Sequence, residues 1–375
     1  MKRVSFSIIS CIVLIFFGCQ KSDSEQVDTI GLSANNNVFV VGSYESSGVM
    51  RAKLWEGNLE ISLDNSDNLT AAFDVVVVNG NSHVVGLKTI IESGTTVWRP
   101  KYWLNGIEQV LELDSAYVGP DISPSDSLNW DIVISDRAEA VFVVGSDVYI
   151  GINRHLIINQ DGSVIYDMNS CSYKKNGVSH YLGSGSIYDL VVYNNDVYLV
   201  GRDGDQAVYW KNNIRTDLTD GSNGADWATG ITVHDDNVYV CGYQNHSGQR
   251  KAKYWLNGTE TMLTTGASNE IANDIAFDSG DIYVCGAEDT EGTFGTQSAA
   301  KYWKNGVPVL LTDGTAFRDI AHEISVNGTD VYVSGTIINV MVSEGKIVFW
   351  KNGNLIEMNS TSASVSESSA IFITP

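Results

Sequence analysis

From about Asn37 to Pro375 the chain is a succession of short runs in which apolar and polar residues alternate. Alternation at a period of two residues marks a half-buried β-strand, and each run ends in Gly, Asn, Asp or Ser, the residues that turn chains. The stretch from Asn273 to Gly314 supplies the template: "NDIAFD", "DIYVCG", "AKYWKNG" and "VPVLLTDG". These predict four strands, here A to D, with tight corners between A and B and between C and D. The C–D corners carry Asn105-Gly106, Asn257-Gly258, Asn305-Gly306 and Asn352-Gly353. Asn-Gly between two apolar strands predicts a two-residue type I′ turn, because both residues must accept a positive φ. No segment sustains a 3.6-residue period beyond the apolar run Val4–Phe17.

The template recurs. A strand-B phrase ends at Gly42, Gly86, Gly201, Gly242, Gly286 and Gly335, and a strand-C Trp stands at 55, 103, 210, 255, 303 and 350. Successive intervals are 41 to 49 residues except for one near the middle of each series, 115 in the first and 107 in the second. Each long interval hides one copy, so both series count seven units. In the hidden unit Gly145 or Gly151 stands for the strand-B Gly, and Lys174 of "SYKKNGVSHYLGSGS" takes the Trp position. Four-stranded units at such a period predict an all-β, seven-bladed β-propeller. The first unit begins at strand B, and the chain ends in "SSAIFITP", a strand A without its B. Docking of that last strand on the first unit closes the ring and hides both sheet edges.

The blade layout resembles the WD40 repeat, with Trp303 at the place of its Trp-Asp pair, although the Asp and the Gly-His pair are missing. The chain looks like the uncharacterised secreted bacterial β-propellers with repeated "YWKNG…LTDG" blades. That resemblance implies a fold and an extracytoplasmic location, with no activity attached.

The N-terminus agrees with that location. Lys2 and Arg3 precede the apolar run, which is too short to cross a membrane and suits a signal peptide over residues 1–18. It ends in Gly18-Cys19, which resembles a lipobox, so Cys19 is the expected lipidation site, residues 19–35 a flexible tether and residues 36–375 one propeller domain. Gln20 after Cys19 points to the outer membrane of the bacterial envelope. The net charge of −22 excludes nucleic acid as a partner and leaves the acyl chains as the only hold on a membrane. A monomer is expected. The cysteines left after Cys11 and Cys19, namely Cys171, Cys241 and Cys285, form no C-x-x-C pair and read as small core residues.

Candidate chemistry is sparse, and no catalytic phrase is recognisable. Acids precede the apolar part of strand A in five units: Asp74, Asp131, Asp189, Asp274 and Glu323. Strand A lines the channel of a propeller, so these carboxylates either ring a Ca²⁺ or similar hard cation or bind backbone N–H groups of a neighbouring blade. The six Trp at one blade position read as inter-blade packing, and Lys101, Lys253 and Lys301 beside them as solvated strand residues. The B–C and D–A connections are long and irregular, and variable loops on a rigid scaffold carry binding. Trp98, Trp130, Trp227, Tyr243, His246, Phe317 and His322 on that face are the candidate ligand contacts, for a protein or carbohydrate ligand. The function expected is an envelope-anchored binding module. The alternative is a glycan-active or other hydrolase or lyase with its site at the channel mouth.

Overall fold

The computed structural model describes residues 38–374 apart from 47, 58, 93, 113–129, 161–162, 266, 291–296, 316, 340, 342–343 and 359–365. Every regular element among the described residues is a β-strand. The first antiparallel group is β1 (Val38–Ser46), β2 (Val49–Glu56) and β3 (Leu59–Ser62). Next come β4 (Thr70–Val78), β5 (Asn81–Glu92), β6 (Thr95–Leu104) and β7 (Ile107–Gln109), then β8 (Trp130–Val144), β9 (Asp147–Gln160), β10 (Ser163–Lys175) and β11 (Val178–Ser184). They are followed by β12 (Ser186–Tyr193), β13 (Asp196–Asp203), β14 (Gln206–Lys211) and β15 (Ile214–Asp217), and by β16 (Ala225–His234), β17 (Asn237–His246), β18 (Gln249–Leu256) and β19 (Thr259–Met262). The last are β20 (Asn269–Asp278), β21 (Asp281–Asp289), β22 (Ser298–Lys304) and β23 (Val307–Leu310), β24 (Arg318–Asn327), β25 (Asp330–Asn339), β26 (Glu344–Lys351) and β27 (Asn354–Glu357), and β28 (Ser366–Ile373).

Within each group the strands pair antiparallel with their neighbours in sequence, and β28 pairs back on β1, with Val40 opposite Ile371. Two groups are joined to the next by a single parallel pair, Trp98 with Ser135 and Ser298 with Arg318. The leading strands also pack on one another: β4 on β8, β8 on β12, β12 on β16, β16 on β20, β20 on β24, β24 on β28, and β28 on β4.

The Trp positions hold the groups together. Trp55, Trp103, Trp210, Trp255, Trp303 and Trp350 are at most 1% exposed, and each lies in a core shared with the preceding group. Trp303, for example, packs with Tyr239, Cys241 and Ala252 as well as with Val284 of its own group. Large rings at such a seam bury much apolar area, which is why truncating one in a core costs about 3–5 kcal/mol. Lys174 takes the same register, opposite Ile150 where Trp103 stands opposite Val84. It is also buried, with its Nζ 2.5 Å from Ser179 Oγ.

The lysines beside the Trp residues depart from expectation. Lys253 and Lys301 are only 2% exposed. Lys253 Nζ lies 2.6 Å from Asp226 and 2.9 Å from Glu260, and Lys301 pairs with Glu270 and, at 2.9 Å, with Glu288. Acids on other strands of the same group, Asp226 and Glu270 on its leading strand among them, draw these ammonium groups in over the indole faces of Trp255 and Trp303. Lys101 stays nearer the surface, 2.6 Å from Glu108. The hidden unit also differs from expectation. Gly145 is a corner residue, Gly151 faces Ala140, and Ile152 holds the place opposite Ala138 where other groups have the strand-B Gly. Two connections expected as irregular are paired ribbons, running out to Glu92 opposite Thr95 and to Asn339 opposite Glu344.

The Asn-Gly corners turn as predicted, with φ of 51° at Asn305 and 78° at Gly306. They also do something the hairpin rule does not foresee. Asn305 Oδ1 accepts the amide of Ile282 at 2.9 Å, and its Nδ2 donates to Asp281 at 2.7 Å, so the C–D corner clamps the A–B corner beside it. Asn105, Asn176, Asn212, Asn257 and Asn352 make the same bond to Ser82, Val148, Val197, Val238 and Val331. Asn305→Gly keeps the backbone and loses the clamp, so denaturant unfolding should show a loss of about 1 kcal/mol. Asn305→Ala adds left-handed strain and should lose about 2 kcal/mol in total. Equal stability of Asn305→Gly and the parent would remove the clamp from the account.

Candidate functional site

The leading strands share one irregularity. In β4 the register with β5 shifts between Ala72 and Asp74, leaving Phe73 without a partner. The same bulge occurs in β8 at Glu139, in β12 at Tyr188, in β16 at Thr229, in β20 at Asn273 and in β24 at His322. In a regular strand adjacent side chains point to opposite faces, whereas a bulge aims two consecutive residues the same way. Phe73 with Asp74, Tyr188 with Asp189, Asn273 with Asp274, and His322 with Glu323 therefore face one cavity, together with Glu139, Thr229 and Ala370. Its volume is about 130 Å³. The strand-B Gly belongs to the same device, because a Cβ at Gly286 would run into the carbonyl of Ile271 just before the bulge.

The acid after each bulge binds the backbone of the next leading strand. Asp74 Oδ2 accepts the amide of Val141 at 2.7 Å while Oδ1 accepts that of Val75 at 2.6 Å. Asp189 does the same with Ile231 and Leu190, at 2.8 and 2.6 Å. Asp274 takes Ile324 at 2.9 Å, and Glu323 takes Ile371 at 2.7 Å. Where the acid is missing, other side chains span the gap. Asn153 binds both the amide and the carbonyl of Ile187, at 2.8 and 2.7 Å, Thr229 donates to Ala272 O at 2.8 Å, and Ser43 Oγ accepts from Ala72 N at 3.1 Å.

Of the two expectations for these carboxylates, the geometry favours backbone binding. Among the described residues no group of three His, Cys, Asp or Glu side chains is arranged to hold a metal ion. Asp131 stands opposite Asn159 near the start of β8, well before the bulge at Glu139, and its side chain lies outside the described residues; Glu139 lines the cavity. Period-two alternation cannot reveal a bulge, so Glu139, Phe73, Tyr188, Thr229 and Asn273 escaped the sequence reading. The available signal was the break in alternation before "VVVV", "LVV" and "IAF", set against the Gly of the partner strand.

Protein surrounds these acids on every side but the cavity. Loss of water raises Asp74 to about 7 and Asp189 to about 6, and pushes Asp274, Glu323 and Glu139 upward as well. Repulsion among the carboxylates adds to the rise at Asp74, Asp274 and Glu323. Burial also holds His322 neutral, its pKa lowered to about 4, with Nε2 2.9 Å from Thr336 Oγ1.

The remaining candidate contacts are scattered. Trp227 stacks on Tyr243 with centroids 4.9 Å apart, and the Arg202 guanidinium lies 4.2 Å from the Trp227 ring, so both faces of the indole are occupied. Trp98 is 38% exposed on β6, opposite Thr89. His246 bonds the carbonyl of Asn223 at 2.8 Å, and Phe317 is half-buried before β24. The side chain of Trp130, like Cys19 and the tether, lies outside the described residues. Among the described residues no helix is long and apolar enough to cross a membrane.

No family model matches the chain, and neither does any curated protein. Solved structures that resemble it include a sialidase of Trypanosoma rangeli in complex with sialic acid, at 7% identity and a TM-score of 0.34, covering 84% of this chain and 67% of that one. Others are a GH43 endo-arabinanase of Bacillus licheniformis (10%, 0.33, covering 76% and 96%) and a quinonprotein alcohol dehydrogenase-like protein of Bacteroides thetaiotaomicron (9%, 0.29, covering 90% and 91%). Likenesses this weak carry nothing about the site.

The raised carboxyls fix a sign for stability. Below about pH 4 they are protonated in both states; as pH rises, the unfolded chain releases protons that the folded chain keeps. Their contribution is therefore lost as pH rises through about 6 for Asp189 and about 7 for Asp74. His322 runs the other way, since the unfolded chain gains a proton below about 6.5 that the folded chain refuses, but it is one group against several. Unfolding free energy should fall between pH 5 and pH 8, and less steeply in Asp274→Asn. An unchanged slope in that variant would show that Asp274 is not part of the source.

Proposed function

We propose that the chain is a seven-bladed β-propeller closed by β28, anchored at the bacterial envelope through a lipid on Cys19, and that it binds a small ligand in the cavity built by the bulges. The cyclic packing of the leading strands and the pairing of β28 on β1 support the ring. The signal-like N-terminus and Gly18-Cys19 support the anchor.

One observation carries the binding site. At a backbone position that repeats from group to group, the side chains are Phe73, Glu139, Tyr188, Thr229, Asn273 and His322. Positions that serve the scaffold keep their residue, as the Trp and the Asn-Gly corners do. A position that keeps its geometry and changes its chemistry around one cavity is what an asymmetric ligand requires. If this is right, any mono- or disaccharide found to bind the parent saturably will bind more than about tenfold more weakly to Tyr188→Ala and Asn273→Ala, a loss of about 1.4 kcal/mol. Trp98→Ala and His246→Ala should leave it unchanged. The opposite pattern would move the site to the loops.

A second reading, hydrolysis of a glycan in the same cavity, draws support from Glu139. Burial raises its carboxyl, the direction that favours a proton donor, and Tyr188 faces the same cavity. Under this reading, 4-nitrophenyl glycosides are turned over and Glu139→Gln lowers the rate about 100-fold or more. Turnover that survives Glu139→Gln unchanged rules the reading out.

A further inference from the structure

The chain holds eight Asn-Gly pairs. Five lie at C–D corners, and there Asn105, Asn176, Asn257, Asn305 and Asn352 are each held twice. The side-chain oxygen accepts an amide of the neighbouring corner at 2.8–2.9 Å. Nδ2 donates to an Asp or Asn of that corner at 2.7–2.9 Å. Asn223 is held through its carbonyl, which takes bonds from His246 and Gln244 at 2.8 and 2.7 Å, while Gly224 is pressed on the Asn245 carbonyl. Asn79 and Asn327 differ from all six. Both are exposed, their side chains make no hydrogen bond among the described residues, and a Cβ at Gly80 or Gly328 would meet nothing within 4 Å. Backbone conformation does not explain the contrast. Asn79-Gly80 has φ of 52° and 74°, and Asn305-Gly306 has 51° and 78°. What separates them is the hold on the carboxamide.

An Asn followed by Gly is open to an internal reaction. The Gly nitrogen, unshielded by a Cβ, attacks the Asn Cγ. The N–Cγ bond forms, the Cγ–Nδ2 bond breaks, and ammonia leaves with the proton that the Gly nitrogen gives up. Water then opens the succinimide ring at either carbonyl and leaves Asp or isoaspartate, so one water is consumed for each ammonia released. The carboxamide must swing onto the next peptide, and that peptide must twist to meet it. A corner Asn breaks two side-chain bonds to do so, and Asn223 breaks two at its carbonyl, whereas Asn79 and Asn327 break no side-chain bond. We infer that Asn79 and Asn327 are the sites of spontaneous deamidation in the folded chain, and that the corner clamp shields the five Asn that make it. Each event adds one negative charge, and isoaspartate at Asn79 lengthens the corner between β4 and β5 by a methylene. At Asn305 the same reaction would replace the donor to Asp281 by a second carboxylate, so the clamp preserves the residue on which it depends.

Peptide mapping by mass spectrometry, which separates the Asn, Asp and isoaspartate forms, tests this at all eight pairs in the full-length protein kept at physiological pH and temperature. Asn79 and Asn327 should convert about 30-fold or more faster than the other six, the ratio that two hydrogen bonds supply. In the chain unfolded by urea the eight rates should converge. Asp281→Ala removes the Nδ2 partner of Asn305 and should speed that residue about fivefold, with Asn105 and Asn257 unchanged. Asp330→Ala reads the same effect at Asn352 if Asp281→Ala does not fold. Rates at Asn79 and Asn327 no faster than at the corners overturn the assignment of the sites. An unchanged rate at the released Asn overturns the shielding by the clamp. A spread that persists in urea traces the difference to neighbours in sequence and overturns both.

Discussion

The bond from a bulge carboxylate to the amide of the next leading strand is the interaction on which the rest of the arrangement depends. Asp74, Asp189, Asp274 and Glu323 each join two leading strands that do not pair with one another in a sheet. An unpartnered buried amide costs about 1–3 kcal/mol, so each carboxylate protects its neighbour's strand as well as joining it. Burial drives all four toward protonation, and repulsion from the others adds to it at Asp74, Asp274 and Glu323. They therefore tie the leading strands together and set the polarity of the cavity those strands surround.

The two halves of each group divide the work. The outer half repeats closely: a Trp wedged against the preceding group, a Gly opposite the bulge, and an Asn whose side chain fastens one corner to the other. None of these positions meets the cavity, so each can hold its residue fixed. The inner half keeps the backbone bulge and varies the side chain. That separation lets one scaffold carry a different group at each contribution to the cavity without disturbing how the groups pack.

Much of the frame was legible in the sequence for physical reasons. Asn-Gly reads as a type I′ corner because the φ requirement is local, and Lys174 was placed at the Trp position by its place two residues before Asn176-Gly177. The cavity was legible in part. Asp74, Asp189, Asp274, Glu323 and His322 lie at it, and in β8 the bulge falls at Glu139, well after the Asp131 that a count of acids before apolar runs picks out. Lys253 and Lys301 were read as solvated because their partners come from other strands, some of them distant in sequence, as Glu270 is from Lys301. The indole of Trp227 proved to be covered by Arg202, a contact between groups that no local pattern reports.

What the sequence by itself determined is whatever depends on near neighbours: strand period, corner chemistry, the recurrence of units, the acidic surface and the character of the first nineteen residues. Those follow from steric preference and apolar alternation, which act over a few residues. What only the tertiary structure decided is where alternation breaks, and with it which side chains face one another. A bulge is defined by the partner strand, and a raised carboxyl by the neighbours that take away its water. Phe73, Glu139, Tyr188, Thr229, Asn273 and His322 are far apart along the chain and carry no shared word. They face one cavity because the same kink recurs wherever two leading strands must share a carboxylate or its substitute.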